Sequence, residues 1–144
     1  MTYRIRKATP ADFDAVCQFV SELQEKKFDH HKLQPLYSQN IKNPNNIYLI
    51  AEENSKPVGY AGCHLQPLLH HQGMVAEIQE IYILPEYRNA GIGKMLMDKI
   101  KLLAKDMGAV QLEVTTRTFR QQAIRFYINQ DFEDSHKKLV YLFR

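Results

Sequence analysis

The sequence predicts a single α/β domain over residues 1–144, with a mixed sheet flanked by helices. Three observations carry that prediction. Short apolar or alternating runs recur between turn residues, as strands do. Stretches with apolar residues at helical spacing fall between those runs rather than in a separate block. A chain of 144 residues, 44% hydrophobic and 24% charged, also suits one core of ordinary soluble composition.

The first strand is expected over Tyr3 to Ala8, where Tyr3, Ile5 and Lys7 alternate with Arg4 and Arg6. Thr9-Pro10-Ala11-Asp12 then announces a helix: Thr9 is suited to cap it, Pro10 fits the first turn, and Asp12 favours the positive end of the dipole. Phe13, Val16, Val20 and Leu23 continue at helical spacing. Leu33, Leu36, Tyr37 and Ile41 mark a weaker second helix, which the turn Asn43-Pro44-Asn45-Asn46 ends. Ile47 to Ala51 reads as a buried strand, Asn54-Ser55-Lys56-Pro57 as a turn, and Val58 to Leu65 as the returning strand. A short polar loop holds His70, His71 and Gly73, and a longer strand follows from Met74 to Leu84, where Pro85 stops it. Gly91 to Met107 is the clearest helix, with Ile92, Met95, Leu96, Ile100, Leu103 and Met107 on one face and Gly108 as its stop. Val110, Leu112 and Val114 alternate as a strand, Gln121 to Asn129 reads as a helix, and Leu139 to Phe143 is expected to close the chain as a final strand.

The bulk properties narrow the function. A net charge of +3, with basic residues spread along the chain, is too mild and diffuse to indicate nucleic acid, but it suits a small anionic ligand. Cys17 and Cys63 are far apart and form no metal motif, so they read as reduced thiols within the fold. The charged N-terminus, with Arg4, Arg6, Lys7, Asp12 and Asp14, reads as neither signal peptide nor membrane span, which makes the cytoplasm the default location.

Arg88-Asn89-Ala90-Gly91-Ile92-Gly93 lies between the long strand and the clearest helix. Glycines there let backbone N–H groups approach a ligand closely, and the helix N-terminus adds free donors and a positive dipole end. Together these form a cradle for a pyrophosphate, to which Lys94 adds charge. Two glycines alone also fit a turn that merely connects strand to helix. The Gly-Lys-Ser/Thr ending of a Walker loop and the three-glycine dinucleotide spacing are both missing.

Arg88-x-x-Gly91-x-Gly93 resembles the acetyl-CoA signature of the GNAT N-acetyltransferase superfamily. Glu80-Ile81-Tyr82-Ile83-Leu84-Pro85-Glu86-Tyr87 is similar to that family's fourth strand and its exit, and Ala123-Ile124-Arg125-Phe126-Tyr127, followed by Phe132, to its later helix. The order of elements agrees over nearly the whole chain. The resemblance implies the GNAT fold, a mixed but mostly antiparallel sheet flanked by helices, and transfer of an acetyl group from acetyl-CoA to a small primary amine. It implies that Ile81, Tyr82, Ile83, Arg88, Asn89, Ala90, Gly91, Ile92, Gly93 and Lys94 bind the cosubstrate. A homodimer is the assembly it suggests testing.

Acetylating an amine requires a group that removes the nitrogen's proton and, as the thiolate departs, an acid to protonate sulfur. Glu77 and Glu80 lie on the long strand, three residues apart, so a regular strand would point them to opposite faces unless a bulge re-aims them. The resemblance favours Glu77 as the base, acting directly or through water, with Glu80 as second candidate. It makes Tyr127 the acid. On sequence alone, either carboxylate also fits a structural ion pair, and Tyr127 a half-buried helix aromatic. Arg117 or Arg120 stands where the family often has Asn, which puts that coenzyme contact in doubt, and Asp131 stands where it often has Gly.

Paired histidines in a loop usually mean a solvated surface. Here Phe28-Asp29-His30-His31, His64-Leu65-Gln66 with His70-His71, Glu77-Ile78-Gln79-Glu80, Ser135-His136 and Arg125-Phe126-Tyr127 resemble the GNAT subfamily that acetylates aminoalkylphosphonates in bacteria. That resemblance implies a phosphonate-bearing acceptor and help from a divalent metal ion, with His64, His71, His136 and Glu77 as weak candidate ligands. No tight metal-ligand spacing is readable, and a metal bound to the substrate phosphonate instead is equally consistent with the residues. Two other readings stay open: a different amine acceptor (polyamine, amino sugar or peptide), or a non-catalytic acetyl-CoA sensor that keeps the turn and loses the acid and base.

Overall fold

The computed structural model describes residues 2–144. Strand β1 (Tyr3–Lys7) leads through a 3-10 turn at Pro10–Asp12 into helix α1 (Phe13–Gln24). Asp12 fixes this entry: its carboxylate accepts from the Thr9 N–H at 2.8 Å and from both Arg6 terminal nitrogens at 2.8 Å. Helix α2 (His30–Lys42) starts where Asp29 accepts from the His31 N–H, and it carries Pro35 inside its span. Then come β2 (Asn46–Glu53), β3 (Lys56–Leu68), a 3-10 turn at Leu69–His71, β4 (Gly73–Ile83), helix α3 (Ile92–Asp106), β5 (Ala109–Val114) and helix α4 (Gln121–Asn129). Among the described residues, no helix is long and apolar enough to cross a membrane.

The five strands lie in chain order, β1-β2-β3-β4-β5. The first three junctions are antiparallel and the last is parallel, because α3 carries the chain back to start β5 beside the start of β4. Residues paired across an antiparallel ladder share a face. Tyr48 pairs with Gly62 and Tyr60 with Tyr82, which puts these three tyrosines on one face. Helices α1 and α2 cover that face: Phe19 meets Tyr82 and Tyr37 meets Tyr48 in aromatic contacts. The other face offers the small buried residues Ala51, Ala61, Cys63 and Ala76. Helix α3 touches all five strands through its buried stripe of Ile92, Leu96, Met97, Ile100 and Ala104. Cys17 and Cys63 are free and buried, as expected of packed thiols.

Two sequence expectations change here. β3 extends to Leu68, through the residues expected to begin the His-rich loop, so that loop shrinks to a single turn. The final strand expected at Leu139–Phe143 is not formed: residues 133–144 carry no regular structure and are exposed throughout. The continuous apolar run is there, but no neighbouring edge of the same chain satisfies its backbone.

Candidate active site

β4 and β5 stay paired only as far as Ile78 and Val114. Beyond that point β4 runs on to Ile83 with only β3 beside it, while the chain leaves β5 toward α4. The sheet therefore opens into a cleft. Ile78, Glu80 and Ile81 form one wall, and Val114, Thr115 and Arg117 the other. Leu23 at the end of α1 reaches it from one face, and Tyr127 of α4 also lines it. The free edge of β4 leaves main-chain N–H and C=O groups of the segment containing Ile81, Tyr82 and Ile83 available to an extended ligand.

One irregularity decides what faces the cleft. Glu77 pairs with His64, Ile78 with Cys63, and Glu80 with Gly62, so the ladder skips Gln79. His64 and Gly62 are two apart on β3 and share a face. The bulge therefore brings Glu77 and Glu80 onto that same face, which a regular strand would forbid. The Glu80 carboxylate accepts a 2.8 Å hydrogen bond from the Tyr60 hydroxyl. Burial raises its pKa above the usual carboxylate range, making it a weaker acid, and the Tyr60 hydrogen bond offsets only part of that rise. Glu77 sits in a wetter position, accepting a 3.3 Å hydrogen bond from the Thr115 hydroxyl.

Tyr127 is fixed from behind. Its ring meets Phe126 and Phe132 edge-on, and the Phe132 N–H donates to its carbonyl at 3.1 Å. Burial pushes the phenol up to about 12, so it stays protonated at neutral pH. Asp131, at the position where glycine is often found, holds φ 71°, a left-handed conformation that Asp can adopt. Arg120 lines the cleft and donates to the Leu23 carbonyl at 3.0 Å, tying the start of α4 to the end of α1.

The turn before α3 has the anticipated form. Asn89 and Gly91 hold φ 66° and 83°, and Arg88, Asn89, Ala90, Gly91 and Lys94 are exposed. Gly91 is the N-cap of α3 and no side chain caps it, so the first N–H groups of that helix, at Ile92, Gly93 and Lys94, face outward without intrahelical partners. A Cβ at Gly91 would meet nothing within 4 Å, so ample space lies in front of it. Gly93 has a second reason to be glycine: a Cβ there would lie 3.2 and 3.3 Å from the Phe126 ring. Arg88 turns back, donating to the Ile83 carbonyl at 2.9 Å while its guanidinium lies over the Tyr82 ring. Lys94 is paired with Asp98 at 2.7 Å.

Of the expected metal ligands, His64 and Glu77 are paired across β3 and β4. His64 is hydrogen-bonded to the Tyr48 hydroxyl, and burial lowers its basicity. His71 lies in the turn between β3 and β4, 4.0 Å from Glu113, and His136 sits in the exposed C-terminal segment against Ser135. Among the described residues, no three His, Cys, Asp or Glu side chains form a group able to hold a metal ion. How far β3 runs, and where the hairpin turn and the tail lie, set the positions of these three histidines. Tyr60 and Thr115 went unread in the sequence, because only the pairing of β3 with β4 and of β4 with β5 places their hydroxyls beside Glu80 and Glu77.

Residues 13–132 match the acetyltransferase (GNAT) family. The chain is 33% identical over 132 residues to the aminoalkylphosphonate N-acetyltransferase of Salmonella typhimurium strain LT2, covering 92% of this chain and 86% of that protein. It is 29% identical over 140 residues to an uncharacterized N-acetyltransferase of Methanocaldococcus jannaschii, of which it spans 62%. A crystal structure described as a transcriptional regulator from Bacillus halodurans C-125 superposes with a TM-score of 0.91 at 24% identity, over 99% of this chain and 100% of that one.

Proposed function

The chain belongs to the acetyltransferase (GNAT) family and is an acetyl-CoA-dependent N-acetyltransferase, and from that premise we propose that its acceptor is the primary amine of a small aminoalkylphosphonate. The observation that carries the acceptor class is the 33% identity, over 92% of the chain, to an enzyme named for that substrate. The charge layout of the cleft supports it: Glu80, with Glu77 on the same strand face beside the cleft, offers a carboxylate to an ammonium group, while Arg117 and Arg120 offer cations to a phosphonate.

In this reading the coenzyme pyrophosphate rests on the turn from Arg88 to Gly93 and the first N–H groups of α3. The pantetheine arm extends along the free edge of β4 at Ile81, Tyr82 and Ile83, and the thioester reaches the gap between β4 and β5. Glu80 serves as the base, because its burial raises its proton affinity toward the working pH and it lines the gap itself. Glu77, more exposed and on the same face, holds the incoming ammonium. Once Glu80 takes a proton, the neutral nitrogen attacks the thioester carbonyl. The N–C bond forms, the C–S bond breaks, and the departing sulfur takes the Tyr127 hydroxyl proton. The proton shed by the new amide nitrogen restores that hydroxyl.

The test is thiol release from acetyl-CoA with (aminomethyl)phosphonate and 2-aminoethylphosphonate, against uncharged amines of matching length. The expected result is a higher kcat/KM for the phosphonates. Equal rates with neutral amines would remove the phosphonate and leave the acetyltransferase assignment standing.

A further inference from the structure

Gly62 stands where three side chains converge. Tyr48 pairs with it from β2, Glu80 pairs with it from β4, and Tyr60 lies two residues before it on the same face of β3. The skipped Gln79 is what sets Glu80 opposite this residue. Its backbone does not call for glycine, since φ at Gly62 is not in the left-handed region. The space above it does. A Cβ at position 62 would lie 2.8 Å from the Tyr60 hydroxyl oxygen and 2.8 Å from Cε1 of Tyr48. The hydroxyl that fills this space is the one that donates to the Glu80 carboxylate at 2.8 Å.

We propose that Gly62 is a positioning residue for the base: the side chain it lacks leaves the room through which the Tyr60 hydroxyl reaches Glu80. The proposal rests on the reading of Glu80 as the base. An alanine Cβ needs about 3.5 Å from its neighbours, so the hydroxyl would have to retreat. Its bond to Glu80 would then pass the limit of about 3.0 Å for a good O–H···O hydrogen bond. Tyr60 is buried and stacks on Tyr48, so its ring has no second way to the carboxylate. With that donor weakened, the charged form loses support and Glu80 holds its proton to higher pH. The other groups on this side of the sheet do not replace it. The phenols of Tyr48 and Tyr127 are pushed up to about 12 by burial, and burial also raises that of Tyr37, so all three stay neutral over the working range. Arg117 and Arg120 across the cleft stay charged. Glu22 of α1 is taken up by the Tyr82 hydroxyl at 2.9 Å. Glu77 and His64 share the face with Glu80, so the Glu80 carboxyl is best read directly.

The test is a carbon-13 NMR titration of the Glu80 carboxyl in glutamate-labelled protein, identified by its loss in Glu80→Gln. Beside it runs the pH profile of kcat/KM with acetyl-CoA and 2-aminoethylphosphonate. Gly62→Ala should raise the midpoint of both curves by about one pH unit, the effect of losing a hydrogen bond to a charged group. Tyr60→Phe should do the same, and Gly62→Ala should add nothing in a Tyr60→Phe background. Should Gly62→Ala fail to fold, the comparison is Tyr48→Val against Tyr48→Val/Gly62→Ala, in which the Tyr48 ring no longer competes for the space and the same rise is expected. A folded alanine variant whose Glu80 titrates at the pH of its parent overturns the proposal. So does a rise that persists undiminished in the Tyr60→Phe background. A rise in the carboxyl titration with an unmoved rate profile upholds the link from Gly62 through Tyr60 to Glu80 and overturns Glu80 as the base.

Discussion

The Tyr60 hydroxyl donates a 2.8 Å hydrogen bond to the Glu80 carboxylate from the neighbouring strand. Burial makes this carboxyl a weaker acid than an ordinary glutamate, and the Tyr60 donor limits that effect by stabilising the charged form. As the base, Glu80 must be ionised, so kcat/KM should fall on the acid side with a midpoint above the usual glutamate range. Tyr60→Phe removes the donor and should move that midpoint to still higher pH. The native state binds this proton more tightly than the unfolded chain. Its contribution to stability is therefore full below the unfolded value and is lost as pH rises through the native one. Glu80→Gln should abolish the acid limb along with most of the activity, and an unchanged limb would move the base to Glu77.

Tyr127 should behave as an acid and not merely as a wall of the cleft. Because burial holds the hydroxyl protonated up to about 12, no loss of rate from its ionisation is expected across the neutral range. Tyr127→Phe keeps the edge contacts with Phe126 and Phe132, so melting should change little. Turnover should drop roughly 10- to 10⁴-fold, the range for a lost general acid, with the acetyl-CoA KM nearly unchanged. Turnover at the wild-type level would leave the tyrosine a packing residue.

Gly93 links the cosubstrate turn to the acid. An alanine Cβ there would press on the Phe126 ring at 3.2 and 3.3 Å, one residue from Tyr127. Alanine gains up to about 1 kcal/mol in helix propensity, while overpacking costs about 1–3 kcal/mol, so the net is a loss of about 1 kcal/mol. Gly93→Ala should lower kcat several-fold by displacing α4, and adding Phe126→Leu should restore much of it. If the second change gives no recovery, the defect lies in the phosphate turn instead.

Much of the frame was legible because its signals are local. Pro10 and Asp12, the apolar stripe of α3, and Gly91 at its start each act within a few residues, and the structure places them as expected. The geometry of the carboxylates was not local. Whether Glu77 and Glu80 share a face depends on a skipped residue, Gln79, whose own side chain gives no sign of it. The histidine positions were not local either: His64, His71 and His136 recur in a suggestive pattern, yet where they lie is set by how far β3 runs and where the tail goes. The final strand shows the limit most plainly. Leu139 to Phe143 has strand composition, but a strand exists only where an edge receives it.

The hairpin between β2 and β3 offers a test of the fold that does not touch the chemistry. Glu53 pairs with Lys56, leaving a two-residue turn in which Asn54 and Ser55 both have positive φ, 50° and 67°. That is the turn whose twist matches the flanking strands, and its preferred sequence is Asn-Gly. Asn tolerates the left-handed conformation, whereas Ser meets a steric cost of about 1–2 kcal/mol there. Ser55→Gly removes that cost and gives back about 0.5–1 kcal/mol through the greater freedom of the unfolded chain. The net expectation is a gain of about 0.5–1 kcal/mol in denaturant unfolding. Kinetics should be untouched, because neither residue lines the cleft. A destabilised Ser55→Gly variant would mean that the serine hydroxyl holds the turn by a contact outweighing its backbone strain.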